Sequence, residues 1–328
     1  MKKLYTLLLL VATSMSFGQA SSSFFGTVGT AANANGWQTH SGTTPGQIVI
    51  VAGSLTYPGL TSQGNKTEII SANSEDINLS GFTPITTTAY YSGLINVVDA
   101  TGLGTNTSNG NYFLSTGATA SPAAVSGLNG KLYIRLGSTP NTFNLGIFNS
   151  STTGTPTFST LDLPFATTHF VVVKYDRGAN SASLWINPAI GSAEGAATVT
   201  NATGTTVAPA QIASLCIRQS APTTGNIQLD ELRISDNWAF VTSSTLGVTQ
   251  NAIAGFSISP NPVNNGVFYI TTDANAERTV AIFDILGKQV LNVITSESAI
   301  NVGGLNSGVY MVQVTEEGNT ATKKLVIR

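Results

Sequence analysis

Charge is scarce in this sequence: only 9% of its 328 residues are Asp, Glu, Lys or Arg, against about a quarter in an ordinary soluble domain. The 14 Lys and Arg against 16 Asp and Glu leave a net charge of −2. Nucleic acids and anionic membranes are held by clustered Lys and Arg, and no such run exists, so both partners are excluded. Cysteine is nearly absent as well. Cys216 stands alone, which rules out an intramolecular disulfide and a thiolate metal cage; its apolar neighbours Leu215 and Ile217 mark it as a small buried strand residue. Histidine is limited to His40 and His169. A His-Glu-x-x-His zinc motif, a Gly-x-Ser-x-Gly elbow and a phosphate-binding glycine loop ahead of a helix are all missing. No segment beyond the N-terminus approaches the ~20 apolar residues of a membrane helix, and helical periodicity is absent throughout.

What the chain does hold is small, polar and β-branched, with 33 glycines and loops dense in Ser, Thr and Asn. It opens with Lys2-Lys3, an apolar run from Leu4 to about Val11, and a polar stretch ending in small residues. Those are the three parts of a secretory signal peptide. Ser16 and Gly18 place its end at residue 18, and Gly18 with Ala20 offer an alternative cut after residue 20. From Phe24 to Val241, short β-branched and aromatic runs such as Gln47–Ala52, Lys131–Leu136, Phe143–Phe148 and Ile212–Arg218 alternate with turn clusters. Many strands and no crossover helices predict an all-β chain, with a large antiparallel jelly-roll sandwich over residues 24–241. Phe170–Tyr175, Asp176–Asn180 and Ser183–Pro188 form a strand, turn and strand. In Ile227–Ile234 the apolar phase slips by one at Asp230-Glu231, as a β-bulge would make it. Residues 242–255 lack pattern and form a linker. Residues 256–328 read as a second, compact β domain of their own.

Within that last segment Ile258-Ser259-Pro260-Asn261-Pro262 is followed by Ile282-Phe283-Asp284 with Gly287-Lys288. Then come Leu305-Asn306-Ser307-Gly308-Val309-Tyr310 and Lys323-Lys324-Leu325-Val326-Ile327. In order and spacing these motifs resemble the type A C-terminal sorting domain of the type IX secretion system of Bacteroidota. The resemblance implies a small immunoglobulin-like β-sandwich over residues 256–328, recognition in the periplasm, passage across the outer membrane, and a secreted or cell-surface destination. Its implied partners are the secretion machinery, a sortase-like protease that removes the domain, and lipopolysaccharide as an anchor for the passenger. The passenger has a resemblance of its own. His169–Pro188 and Leu229–Ile234, with Gly36-Trp37 and Ser54–Leu60 near the front, are similar to bacterial concanavalin A-like, laminin-G-like jelly rolls. That family implies a structural calcium, for which Asp76, Asp99, Asp176, Asp230 and Asp236 are candidate ligands, Asp176 and Asp230 foremost.

Jelly-roll glycosidases set two or three acids on one strand, separated by single residues, so that they share a face. The Glu-x-Asp-x-Glu arrangement is missing, and adjacent Asp230 and Glu231 face opposite ways unless a bulge realigns them. The chain is therefore expected not to be an enzyme. Trp37, Trp185, Trp238, Tyr57, Tyr90, Tyr91 and Tyr133 are the aromatics available to stack on sugar rings. Trp37, in a Gly/Asn loop, is the foremost candidate for an exposed one, with Tyr57 and Trp238 next. The expected passenger function is glycan binding or adhesion. The alternatives are a structural matrix protein without a small ligand and a divergent polysaccharide-degrading enzyme.

Overall fold

The computed structural model describes residues 19–328 except 23, 25, 43, 121–123, 245–252, 254, 285, 286, 317 and 318. The expected signal peptide, residues 1–18, lies outside the described residues. The chain divides into two compact units, residues 1–246 and 247–328.

The first unit is an antiparallel sandwich whose strands follow from period-two apolar runs. Its first sheet is ordered Val199–Asn201, Ser181–Ile186, Thr168–Asp176, Thr88–Val97, Ile227–Ser235, Lys66–Ile69 and Ile50–Val51. The second runs Thr157–Phe158, Thr142–Phe148, Asn129–Leu136, Asn111–Gly117, Ser214–Arg218, Glu75–Leu79 and Gln38–Gly42. One face of each sheet feeds a shared core: Tyr91, Ile95, Val171, Val173 and Leu184 from the first meet Leu132, Ile134, Leu145, Leu215 and Ile217 from the second. Fully burying each such side chain contributes about 1.5–3 kcal/mol.

The phase slip at Asp230-Glu231 is a bulge. The register of Ile227–Ser235 shifts between Asp230 and Arg233, and Glu231 has φ of 51°. Before it, Ile227 to Leu229 pair with Thr67 to Ile69. After it, Leu232 to Ser235 pair with Gln19 to Ser22. Among the described residues the sandwich thus begins at Gln19, ahead of Phe24. It also reaches past Val241, because Thr242 is buried and Ser243 accepts from Arg233 Nη1 at 2.6 Å through its carbonyl.

The second unit is a small sandwich of a three-stranded and a four-stranded sheet around Phe268, Ile270, Val280, Ile282, Val312 and Val314. Ile253 belongs to that core, which further shortens the linker expected over residues 242–255. The sorting motifs have local jobs here. Asn261 donates through Nδ2 to the Lys324 carbonyl at 2.7 Å and accepts from Val326 N at 2.9 Å, clamping the Pro260–Pro262 segment to the last strand. Asp284 Oδ1 accepts from Lys288 N, and Gly287 supplies the positive φ of 80° that the turn demands. Tyr310 is buried and its hydroxyl donates to Asn306 O, bridging the turn before Gly308. Lys323 places its ammonium 5.1 Å from the Phe256 ring centroid.

Candidate functional site

The outward faces of the two sheets differ in chemistry. On the first, Tyr90, Leu94, Phe170, Val172 and Trp185 would meet water if nothing lay above them. Leu55, Leu60, Trp238, Phe240 and Val241 cover them and form a second apolar cluster. Both carboxylates of the bulge hold this cover. Asp230 Oδ2 accepts from Leu55 N at 2.8 Å, Glu231 Oε1 accepts from Gln63 N at 2.6 Å, and Arg233 donates to the carbonyls of Phe240 and Ser243.

On the second sheet no hydrophobic cluster lies outside the core among the described residues. Leu132 and Ile134 point inward, so strand alternation turns Lys131, Tyr133 and Arg135 outward. Register then sets their neighbours: Tyr112 opposite Tyr133 on one side, and Phe148, Gly146 and Asn144 opposite Lys131, Tyr133 and Arg135 on the other. Gly146 leaves room for the Phe158 ring, which would lie 2.8 Å from a Cβ at that position. One strand beyond Tyr112, Arg218 stands opposite Asp76. Tyr133 packs against Tyr112 at 5.6 Å, Phe148 at 6.3 Å and Phe158 at 6.5 Å between centroids. Cations lie over these rings: Arg135 is 3.9 Å from the Phe158 centroid, Arg218 4.4 Å and Lys131 4.8 Å from that of Tyr112. Each such contact contributes about 0.5–2 kcal/mol according to its exposure.

Among the described residues none of these three cations comes within 4.0 Å of a carboxylate, the ion pairs being Lys174–Glu194, Glu231–Arg233 and Arg278–Glu316. Lys131 donates to Ser151 O at 2.7 Å, Arg135 to Ser108 O at 3.0 Å and Arg218 to Asn111 Oδ1 at 2.6 Å. Burial, helped by the Arg218 charge, pushes the Lys131 ammonium down to about 8. Burial raises Tyr133 to about 12, with the Tyr112 phenol adding to it, and raises Asp76 despite the opposing pull of Arg218. His40, at the same end of the sheet, contacts Asn78 Nδ2 through Nδ1 at 3.2 Å and is held neutral by burial, which lowers it to about 4. Beside Arg218 and Asp76 a polar recess of about 220 Å³ is lined by Ser41, Gly42, Ser74 and Gln219.

Of the aromatics singled out in sequence, only Tyr133 stands in this site. Trp37 is 2% exposed, stacks on Phe24 with centroids 5.8 Å apart and donates to Ser22 Oγ. Its Gly/Asn loop folds over the end of the core, so Trp37 has no free face for a sugar. Trp238 is 9% exposed, packs edge-on against Trp185 at 4.9 Å and donates to Ser192 O. It too is cover. Tyr57 is half-buried against Phe170 in the same layer. Two of the calcium candidates already accept hydrogen bonds from nearby backbone N–H groups. Asp230 receives N–H groups on both oxygens, from Leu55 and Glu231, and Asp176 caps its turn by accepting from Ala179 N. Among the described residues no three His, Cys, Asp or Glu side chains converge to hold a metal. His169 is a buried strand residue edge-on to Phe143, and burial raises the Cys216 thiol to about 12, which leaves it unreactive. Lys131, Arg135, Tyr112 and Arg218 were missed in sequence. The alternation Lys131-Leu132-Tyr133-Ile134-Arg135 was the available signal.

Residues 257–328 match the model of a family described as a secretion system C-terminal sorting domain. This segment is a type IX secretion sorting domain. It directs the chain to a secreted or cell-surface destination and implies contact with the type IX secretion machinery. Among the described residues no helix is long and apolar enough to cross a membrane. Part of the chain is similar to an ulvan lyase of Nonlabens ulvanivorans, 36% identical over 89 residues, which are 26% of this chain and 16% of the relative. Part is similar to an endo-acting ulvan lyase of Formosa agariphila, 30% identical over 97 residues, 28% of this chain and 19% of the relative. The chain thus spans less than a fifth of the curated relatives it matches. Among solved structures, the T. cruzi calreticulin globular domain is similar at 12% identity with a TM-score of 0.41, covering 68% of this chain and 90% of that one. At such values the fold rests on this chain's own sheet order and register.

Proposed function

We propose that the passenger is a non-catalytic glycan-binding or adhesive module that the sorting domain carries to the cell surface or beyond. The observation that carries this reading is the outward face of the second sheet. Tyr112, Tyr133 and Phe158 stand there half-buried with no apolar cluster above them among the described residues, beside amide and hydroxyl groups suited to sugar hydroxyls. The test is a glycan array probed with the full chain. Saturable binding to one class of polysaccharide, weakened by Tyr112→Ala and Tyr133→Ala, is expected. Equal binding by both variants would remove the site, and no binding to any glycan would favour a structural matrix role. At the surface, the domain's removal by the machinery's sortase-like protease and attachment of the passenger to lipopolysaccharide complete the proposed route. A structural calcium would have to draw on carbonyl and amide oxygens; a rise in Tm on adding calcium, reversed by a chelator, is the measurement that would reveal it.

A polysaccharide-cleaving enzyme is the second reading. Two curated relatives named as ulvan lyases favour it, as does Lys131, whose lowered pKa beside Tyr112 suits proton transfer near neutrality. Release of unsaturated chain ends, followed by their ultraviolet absorbance and lost in Tyr133→Phe, would replace the non-catalytic reading.

A further inference from the structure

Resting on the glycan-binding reading, we infer that the second sheet's outward face selects acidic polysaccharides, whose carboxylate or sulfate groups meet Arg218, Arg135 and Lys131 while sugar rings lie on Tyr112 and Tyr133. Three cations here lack a close counter-ion among the described residues. The chain carries 14 basic residues among 328, yet three of them share this face. None has a carboxylate within salt-bridge distance among the described residues, where Lys174, Arg233 and Arg278 each have one. A sheet face covered only by water would be served as well by Ser and Thr, which this sequence has in abundance.

The arrangement also suits a polymer. Arg218 lies one strand beyond Tyr112 and Arg135 two residues along the strand from Tyr133, each over a different ring, Tyr112 for one and Phe158 for the other. Anions spaced along a chain can therefore reach both while the sugar between them stacks. Lys131 lies deeper, over Tyr112 and Phe148. Its desolvation lowers its affinity for a proton, and an anion arriving above would reverse that cost. Among the described residues the negatively charged or titratable groups facing the site are Asp76, which adjoins Arg218, the phenols of Tyr112 and Tyr133, the Cys216 thiol near Tyr112, and His40 against Asn78. Asp162, at the edge near Asn144, is occupied by donors from Ser138, Thr139 and Asn144. A neutral glycan would use the rings and leave the three cations as they are.

Matched polymers test this with the full chain: dextran sulfate against dextran for sulfate, and polygalacturonate against its methyl ester for carboxylate. The expected result is binding to one or both charged members, at least tenfold tighter than to the neutral partner and weakening with salt. Whichever charged polymer binds identifies the anion. Arg218→Gln and Arg135→Gln, checked for folding by Tm, should each cost about tenfold in affinity. Lys66→Gln, on the other sheet, should cost nothing and so exclude diffuse attraction. Binding to dextran and dextran sulfate alike, still dependent on Tyr112 and Tyr133, would overturn the acidic-ligand inference and leave the glycan reading standing. No binding to any polymer would overturn both.

Discussion

The two outward faces of the sandwich were built from the same kind of strand and finished in opposite ways. The first is apolar and roofed by Leu55, Leu60 and Trp238–Val241; the second is cationic and aromatic and has no apolar roof among the described residues. A sheet with two apolar faces needs two covers, and the first sheet's hydrogen bonds from Asp230, Glu231 and Arg233 go into holding the second one. The polar groups of the other face hold loops rather than an apolar cover, Lys131 through the Ser151 carbonyl and Arg135 through that of Ser108. Arg135 and Arg218 donate to a neighbouring carbonyl and amide, and among the described residues neither has a carboxylate within 4.0 Å, although Asp76 stands opposite Arg218. The difference separates residues kept for stability from residues available to a ligand, although both sets are aromatic-rich.

The largest effects should come from the roofed face. Trp238→Ala empties a site packed against Trp185 and Tyr90 and should destabilise the sandwich by about 3–5 kcal/mol, seen as a lower denaturant midpoint with glycan affinity unchanged at temperatures where the protein is folded. Next comes Asp230→Ala, which strands the Leu55 and Glu231 N–H groups and should cost about 2–3 kcal/mol. The Asp230 carboxyl also carries a pH dependence. Burial raises it from 3.8 to about 8, so across that window the folded protein holds a proton that the unfolded chain releases. Its contribution is complete in acid and is lost as pH rises toward 8, a trend that Asp230→Asn should flatten.

The open face should respond with the opposite sign. Lys131 is 5% exposed and its pKa is lowered to about 8, so at neutral pH its charge is a burden on the fold. Lys131→Met should raise stability by roughly 1–3 kcal/mol while weakening the glycan complex. Above pH 8 the wild-type ammonium loses its proton first in the folded state, so stability rises between about 8 and the unfolded value of 10.5. Affinity for an anionic ligand should fall over the same range, as titration calorimetry would show. Tyr112→Ala, which removes the half-buried ring beneath Arg218 and Lys131, should cost about 1–3 kcal/mol in stability, less than Trp238→Ala, and should weaken glycan binding where Trp238→Ala does not.

Much of the architecture could be read from alternation alone. The bulge at Asp230-Glu231 was visible because period two tolerates no slip: Leu229 and Leu232 cannot share a face without an extra residue. The sorting domain was legible because its motifs are local turns and clamps. The binding face was not, for a physical reason. Lys131, Tyr133 and Arg135 belong to one strand, but Tyr112, Phe158 and Arg218 join them only through sheet order, and order depends on pairings between residues up to about a hundred positions apart. Trp37 and Trp238 were misjudged in the same way. Polar neighbours in sequence say nothing of the Phe24 or Trp185 ring that covers them in space.

Hydrogen exchange of the full chain with and without saturating acidic polysaccharide tests the division of the two faces most directly. The account predicts slowed exchange in Asn111–Gly117, Asn129–Leu136 and Ser214–Arg218, with Leu55–Leu60 and Trp238–Val241 unchanged. Protection confined to those last two segments would place the ligand on the roofed face and contradict it.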